Sequence, residues 1–553
     1  MPTATQSHMS SSRGASTPPR RSVPTRAIVL VAVLIPLAAV IAIGVIVVTA
    51  EPSLAASGSE IATIKLPFGS GTVDRVTAIG GREQQVVPVA LHGNTVVPAA
   101  QLPQGEHLTV IVTVKRPGWA AWLTGQTKEI RLSVVTPVAH LRETIVTVKE
   151  GGGAVPIRFS EPVAAVAYGS AGGPFKRVAV AHPETSLDVP VSAVAGSMVI
   201  EAAPRAWEQL RATEISWFPA GTRSSAIASP APGTQITAQQ PIAITFQKTV
   251  TQALGGTMPV VSPSGSGAWH VVSAHEIRFV PSGYGYGLGA NVTVSLPSSV
   301  QLVGETSSGS GPVGAWTVPA GTTLRLQQLL AQLGYLPVTF TPAAPVASTI
   351  AAQETAATDP PKGTFGWRWS NTPGALKALW QPGEANEMIT GAVMRFESDQ
   401  GLAPDGIAGP TVWKALIEAN EKHQVSTFGY TFVYVLETGG SPSESEYTWH
   451  NGSNVVTGLV NTGVSGATTQ TGVFAVYEHV RSTTMSGTNV DGTKYVDPGI
   501  PWVSYFNGGD ALHGYIRASY GFPQSNGCVE MPYSEAEAVW PYTPVGTLVN
   551  VAT

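Results

Sequence analysis

Cys528 is the only cysteine in this chain of 553 residues. With no intrachain partner, a thiol outside a reducing compartment is an oxidation liability unless it is buried or used. It ends the turn Ser525-Asn526-Gly527-Cys528, and His513-Gly514 lies upstream of that turn. A cysteine beside glycine suits acyl transfer, because a small residue lets backbone N–H groups approach a developing oxyanion. A histidine on a neighbouring strand or turn can take the thiol proton and leave a thiolate nucleophile. On residue chemistry alone, a buried structural cysteine is the favoured reading.

Other chemistries are narrowed by what surrounds this pair. A single cysteine excludes an intrachain disulfide and any Cys-rich zinc site. His450 and His479 lack metal-ligand spacing and no HExxH run occurs, which disfavours a zinc peptidase; no metal or cofactor is expected. With 31 basic against 35 acidic residues, nothing points to a nucleic-acid partner. Trp502, Tyr505 and Phe506 precede His513 and either line a peptide cleft or pack in a core. Arg517 offers a planar fork for a substrate carboxylate. Glu530 reads as a solvated charge after the turn.

Several elements must carry and position these residues. Residues 1–26 read as a disordered cytoplasmic tail. Residues 27–50 form an uncharged apolar run, long enough for the roughly 20 helical residues that span a bilayer. Arg13, Arg20, Arg21 and Arg26 precede it, which predicts a single-pass signal anchor with a cytoplasmic N-terminus and the remainder outside. Val-Thr-Ala at 48–50 and Leu-Ala-Ala at 54–56 resemble signal cleavage sites, an alternative that also exports the rest.

From 51 to about 320 the pattern alternates as in strands: Leu108, Val110, Val112 and Val114 form one such series, and Ile242, Ile244 and Phe246 another. Three β-sandwich modules are expected, at 51–140, 141–222 and 223–320. In the last, Pro241–Phe246, His275–Ser282 and Asn291–Leu296 resemble the strands of a bacterial immunoglobulin-like module. Helical period appears in Leu326, Leu329, Leu330 and Leu333, with Gly334 as a C-cap. It returns near Met394 and Phe396, with Thr390 as a candidate N-cap, and again after Pro410. The pieces LQQLLAQLGYLP and ITGAVMRFESDQGLAPDGIAGPTVWKAL together resemble a type 1 peptidoglycan-binding domain, a small three-helix fold, at 321–422 with an insertion. Its implied partner is peptidoglycan.

Residues 426–553 return to a β pattern. The His-Gly pair followed by Ser525-Asn526-Gly527-Cys528 resembles the catalytic motif of the L,D-transpeptidase (YkuD-like) family. Thr462-Gly463-Val464, Thr471-Gly472-Val473-Phe474 and Gly546–Val551 extend the likeness in the right order. The chain as a whole is thus expected to be multidomain and mainly β.

The resemblance implies Cys528 as acylated nucleophile and His513 as base, oriented by the Gly514 carbonyl, with the Gly527 and Cys528 N–H groups as oxyanion donors. It implies that Ser525 fixes the turn and that Tyr495 assists the oxyanion hole or packs on the sheet. Asn526 stands where the family motif has a second histidine. The implied reaction joins a stem tetrapeptide to a neighbouring stem amine through a 3→3 cross-link, with release of D-alanine. The alternatives are an L,D-carboxypeptidase, or a non-catalytic tethering protein with a decayed C-terminal domain.

Overall fold

The computed structural model describes residues 38, 40–42, 44, 45, 49, 51–81, 84–149, 153–221, 224–304 and 311–553. The expected transmembrane helix at 27–50 is corrected, and with it the membrane anchoring and single-pass localisation it implied. Among the described residues no helix is long and apolar enough to cross a membrane. A span takes about 20 helical residues. Of that segment only Ala38, Val40, Ile41, Ala42, Gly44, Val45 and Thr49 are described, all helical. The rest of the segment, and the tail at 1–26, lie outside the described residues.

The chain divides into two compact units. The first takes in the described part of Met1–Val146, with Gly152–Val191 and Ser197–Ser216. Two four-stranded sheets enclose a core that includes Ile61, Ile64, Leu108, Val110, Val112 and Val114. The alternating series in the strand His107–Lys115 supplies one face of it: every second residue is buried, as the period of two requires.

The second unit is mostly Trp217–Thr553. Its first part packs a five-stranded sheet against a three-stranded one over Ile242, Ile244, Phe246, Val292, Val294 and Trp316. The helices Thr323–Gln332, Glu387–Asp399 and Pro410–Glu421 follow. Between the first two lie a hairpin (Val338–Pro342 with Gly363–Trp367) and the helix Ile350–Thr358. The helix around Met394 begins earlier than Thr390 suggests. Asn386 is its N-cap, its side chain accepting from the Met388 and Ile389 N–H groups and so satisfying two of the first-turn donors.

The last part, the C-terminal domain, has two sheets. One orders its strands Ser453–Leu459, Ser445–His450, Thr431–Leu436, Leu548–Ala552 and Gly472–Ala475. The other orders Glu478–Thr488, Lys494–Asn507, Asp510–Gly514 and Val529–Met531. Val433, Val435, Phe506, Leu512, Val529 and Val551 pack together between them.

The helical part and this domain share one core. Leu329, Leu330, Val393 and Leu416 pack in the same cluster as Phe432, Trp449 and Leu548. Full burial of each such side chain contributes about 1.5–3 kcal/mol, so the junction is stabilised as a domain interior is. A glycine inside a helix costs up to about 1 kcal/mol, and Gly391 has a reason to be one. A Cβ there would come 2.5 Å from the Gly546 carbonyl, so only glycine lets this helix lie on the loop before the closing strand.

Candidate active site

Parallel pairing of Asp510–Gly514 with Val529–Met531 sets the site. Leu512 lies opposite Val529 and His513 opposite Glu530, so Cys528 arrives at the strand's entrance, two residues before the histidine's row. His513 is 3% exposed, and its Nδ1 lies 3.1 Å from the Gly514 carbonyl, the orienting contact read from the sequence. That contact uses Nδ1 as donor and leaves Nε2 as the basic nitrogen. Gly514 is small for a packing reason. A Cβ would meet Tyr533, Trp502 and Ala536 at 3.0–3.3 Å.

The turn before Cys528 is held by Ser525. Its Oγ donates to the Cys528 carbonyl at 2.5 Å and accepts from the Gly527 N–H at 3.1 Å. The Gly527 N–H is therefore already committed, a point the turn sequence did not show. Gly527 has φ +117°, and a Cβ would fall 2.5 Å from Asp510 Oδ1, so both backbone and space demand glycine.

Cys528, His513, Ser525, Asn526, Tyr495, Tyr505 and Arg517 share the wall of one cavity of about 710 Å³. Trp502 does not reach it. Its ring meets Tyr533 edge-on at 5.5 Å and packs against the core between the sheets. The sequence reading missed Asp497, Asp510 and Tyr515, which also line the cavity. Their closeness to His513 in the chain was the available signal.

The catalytic pair is uncharged at rest, and Arg517 is paired. Burial pushes the Cys528 thiol up to about 12, against a lowering contact from the Ala511 N–H, with the Asp510 and Glu530 carboxylates adding to the rise. Burial also pushes His513 below the ordinary imidazole value, only partly offset by its bond to Gly514. The resting pair is therefore a neutral thiol and a neutral imidazole. The thiol Sγ lies 3.6 Å from the Gly509 carbonyl.

Arg517 and Glu530 make a two-pronged ion pair, Nε–Oε2 at 2.7 Å and Nη2–Oε1 at 2.8 Å. Glu530 is 4% exposed, so it is not the solvated charge expected from its place after the turn. Its partner arrives from a loop that the local sequence does not show. The guanidinium also lies 4.6 Å over the Tyr515 ring, whose hydroxyl reaches Asp497 at 3.3 Å. The Arg517 fork is thus taken up by the protein itself.

Asn526 faces outward and donates to Asn489 Oδ1 at 2.6 Å. Asn489 lies in the turn joining Glu478–Thr488 to Lys494–Asn507, where Thr493 fixes its amide. This contact ties the cysteine turn to the tip of a long hairpin whose strands form part of the cavity wall. His450 and His479 are structural. His450 meets Thr431 Oγ1 at 2.9 Å, and His479 stacks on Trp540 at 4.2 Å. No metal-binding cluster of three or more ligands occurs among the described residues.

Residues 441–551 match the L,D-transpeptidase catalytic domain, YkuD. The C-terminal domain belongs to that family. Residues 381–416 match a putative peptidoglycan binding domain. With that catalytic domain and a single cysteine, Cys528, the chain is a cysteine-dependent transpeptidase.

Among solved structures, the catalytic domain of an E. faecium L,D-transpeptidase is 23% identical, covering 23% of this chain and 100% of that one, with a TM-score of 0.20. An L,D-transpeptidase from Mycobacterium smegmatis is 10% identical, covering 60% and 100%, with a TM-score of 0.19. One from Mycobacterium tuberculosis H37Rv is 11% identical, covering 59% and 96%, with a TM-score of 0.19. No curated protein sequence matches the chain.

Proposed function

We propose that this transpeptidase takes a stem tetrapeptide as acyl donor, releases its terminal D-alanine and passes the acyl group to a neighbouring stem amine, making a 3→3 cross-link. The observation that carries the reading is the Cys528–His513 pair on one cavity wall, both groups neutral at rest. As Cys528 Sγ attacks the donor carbonyl, its proton passes to His513 Nε2, so charge appears only during the reaction. The tetrahedral oxyanion meets the Cys528 N–H, since the Gly527 N–H is held by Ser525. Collapse breaks the peptide bond; His513 returns the proton to the leaving D-alanine nitrogen. The acceptor amine then attacks the thioester, loses a proton to His513, and the thiol is restored.

Arg517 serves as a strut in this scheme. Its pairing with Glu530 holds the loop before the cysteine turn to the strand after it. Asn526 is a positioning residue that links the turn to the hairpin tip. The helical part, fused to the catalytic domain through one core, holds the enzyme on its polymer and raises the local donor concentration.

The test is incubation of the chain with a muropeptide tetrapeptide, with mass spectrometry of protein and products. An acyl adduct at Cys528, free D-alanine and a cross-linked dimer are expected. A folded protein giving neither adduct nor D-alanine defeats the reading. D-alanine without dimer assigns water as acceptor and makes the enzyme a carboxypeptidase.

A further inference from the structure

The helix Thr323–Gln332 carries Arg325 at a position 3% exposed. Its Nη1 donates to Gln328 Oε1 at 3.3 Å and its Nη2 to Gln353 Oε1 at 3.4 Å, both neutral amides. Among the described residues it makes no ion pair. Burial pushes its pKa down to about 10, and no carboxylate counters that fall. It is therefore still charged at neutral pH. A buried cation without a counter-ion costs several kcal/mol, and proteins seldom keep one without a partner.

Arg325 lies on the wall of a cavity of about 460 Å³, with Gln332, Gln353, Phe340, Glu421 and His423. The Glu421 carboxylate forms no ion pair with it. A buried atom on the same wall is unsatisfied: among the described residues, Gln332 Oε1 has no hydrogen-bond partner. One group thus calls for an anion and the other for an N–H donor. A glycan without charge satisfies only the second, and a phosphodiester only the first. A peptide carboxylate beside its own amide N–H satisfies both.

We propose that this cavity is a ligand site of the helical module and that it takes the free carboxylate of a wall peptide. The guanidinium fork holds the carboxylate, and Gln332 accepts the adjacent amide N–H. Phe340 supplies an apolar wall for the side chain between them. This rests on the peptidoglycan reading above, and it places recognition by the module on the peptide rather than on the sugar.

The test uses the full chain carrying Cys528→Ala, so that no turnover intervenes. The probes are N-acetyl-D-alanine, its C-terminal amide and glycerol phosphate, with binding followed by NMR titration and by the rise in Tm. The acid should bind at least about tenfold more tightly than its amide, as loss of a charge-assisted hydrogen bond implies. It should also bind more tightly than glycerol phosphate. Arg325→Met and Gln332→Ala should each weaken the acid by a similar factor, and Arg325→Lys, which keeps charge but not the fork, by less than Arg325→Met.

Equal binding of acid and amide, no binding, preference for glycerol phosphate, or full binding by Gln332→Ala would each overturn the proposal. Gln332→Ala and Arg325→Lys decide the matter if Arg325→Met does not fold. D-alanine release by the wild-type chain is scored separately. If release occurs while acid and amide bind alike, only this site is refuted. If release fails while the acid is preferred, only the catalytic reading is refuted.

Discussion

The catalytic cavity and the cavity of the helical module hold their charges in opposite ways. Around Cys528 the thiol is pushed up, the imidazole is pushed down, and Arg517 is locked to Glu530. Around Arg325 a guanidinium stays charged with only amide partners. The difference follows from what each place must do. A site of acyl transfer gains most when charge arises during the reaction and meets donors already in place. A site that holds an anion at rest must keep its cation ready and unpaired.

The largest expected effect lies on the catalytic side. His513→Ala should slow acylation of Cys528 by about a thousandfold or more, measured by single-turnover mass spectrometry. Near-normal acylation would show that another group takes the thiol proton.

The two arginines give the next contrast. Arg517→Met leaves Glu530 buried without its partner, and a loss of about 3 kcal/mol is expected. Arg325→Met removes a cation that has no counter-ion among the described residues, while two glutamine oxygens lose a donor. These changes oppose one another, so a change of about 1 kcal/mol or less is expected. Equal losses of Tm in the two variants would erase the distinction between the cavities.

The pH profile of acylation sharpens the neutral-pair picture. Burial disfavours the imidazolium form of His513, so the base stays neutral to lower pH than an ordinary histidine, and the rate falls only below that lowered pKa. The acid limb should therefore lie below the ordinary histidine value of about 6.5. A limb above that value would mean that the imidazolium is favoured, as in a resting ion pair.

Glu446 offers a stability test outside both cavities. It is fully buried, and burial first, eased by a bond from Thr448 and then raised by Glu535, pushes its carboxyl up to about 8. A carboxyl raised in the folded state contributes stability that is complete below its unfolded pKa. That contribution is lost as pH rises through the folded pKa. Glu446→Gln should thus melt higher than wild type at pH 9, by a few degrees, and show no such gain at pH 4.

The smallest effect is expected at Asn526. Asn526→Ala removes one exposed hydrogen bond, about 0.5–1 kcal/mol. Faster hydrogen exchange in residues 489–493 and a few-fold change in kcat/KM are the readouts. Unchanged exchange would remove the link between the turn and the hairpin tip.

Much was legible from short-range pattern. The period of two along Leu108–Val114, the leucines of Thr323–Gln332, the proline opening Pro410–Glu421 and the Ser525–Cys528 turn are local preferences, and the folded chain contains each. The helix start was misplaced because Asn386 lies ahead of the apolar period and caps the first turn from outside it. The apolar run at 27–50 satisfied a length rule, yet among the described residues no membrane-crossing helix accompanies it.

The sequence by itself determined which thiol and which imidazole are available, and that glycine flanks both. It also carried the family motif in order. Only the tertiary structure decided that the Gly527 N–H is already used, that Arg517 belongs to Glu530, that Asn526 reaches Asn489, and that Arg325 has only amide partners among the described residues. The reason is range. Turn chemistry and periodicity act over a few residues, whereas the pairing of charges depends on which distant segments the fold brings within hydrogen-bond reach.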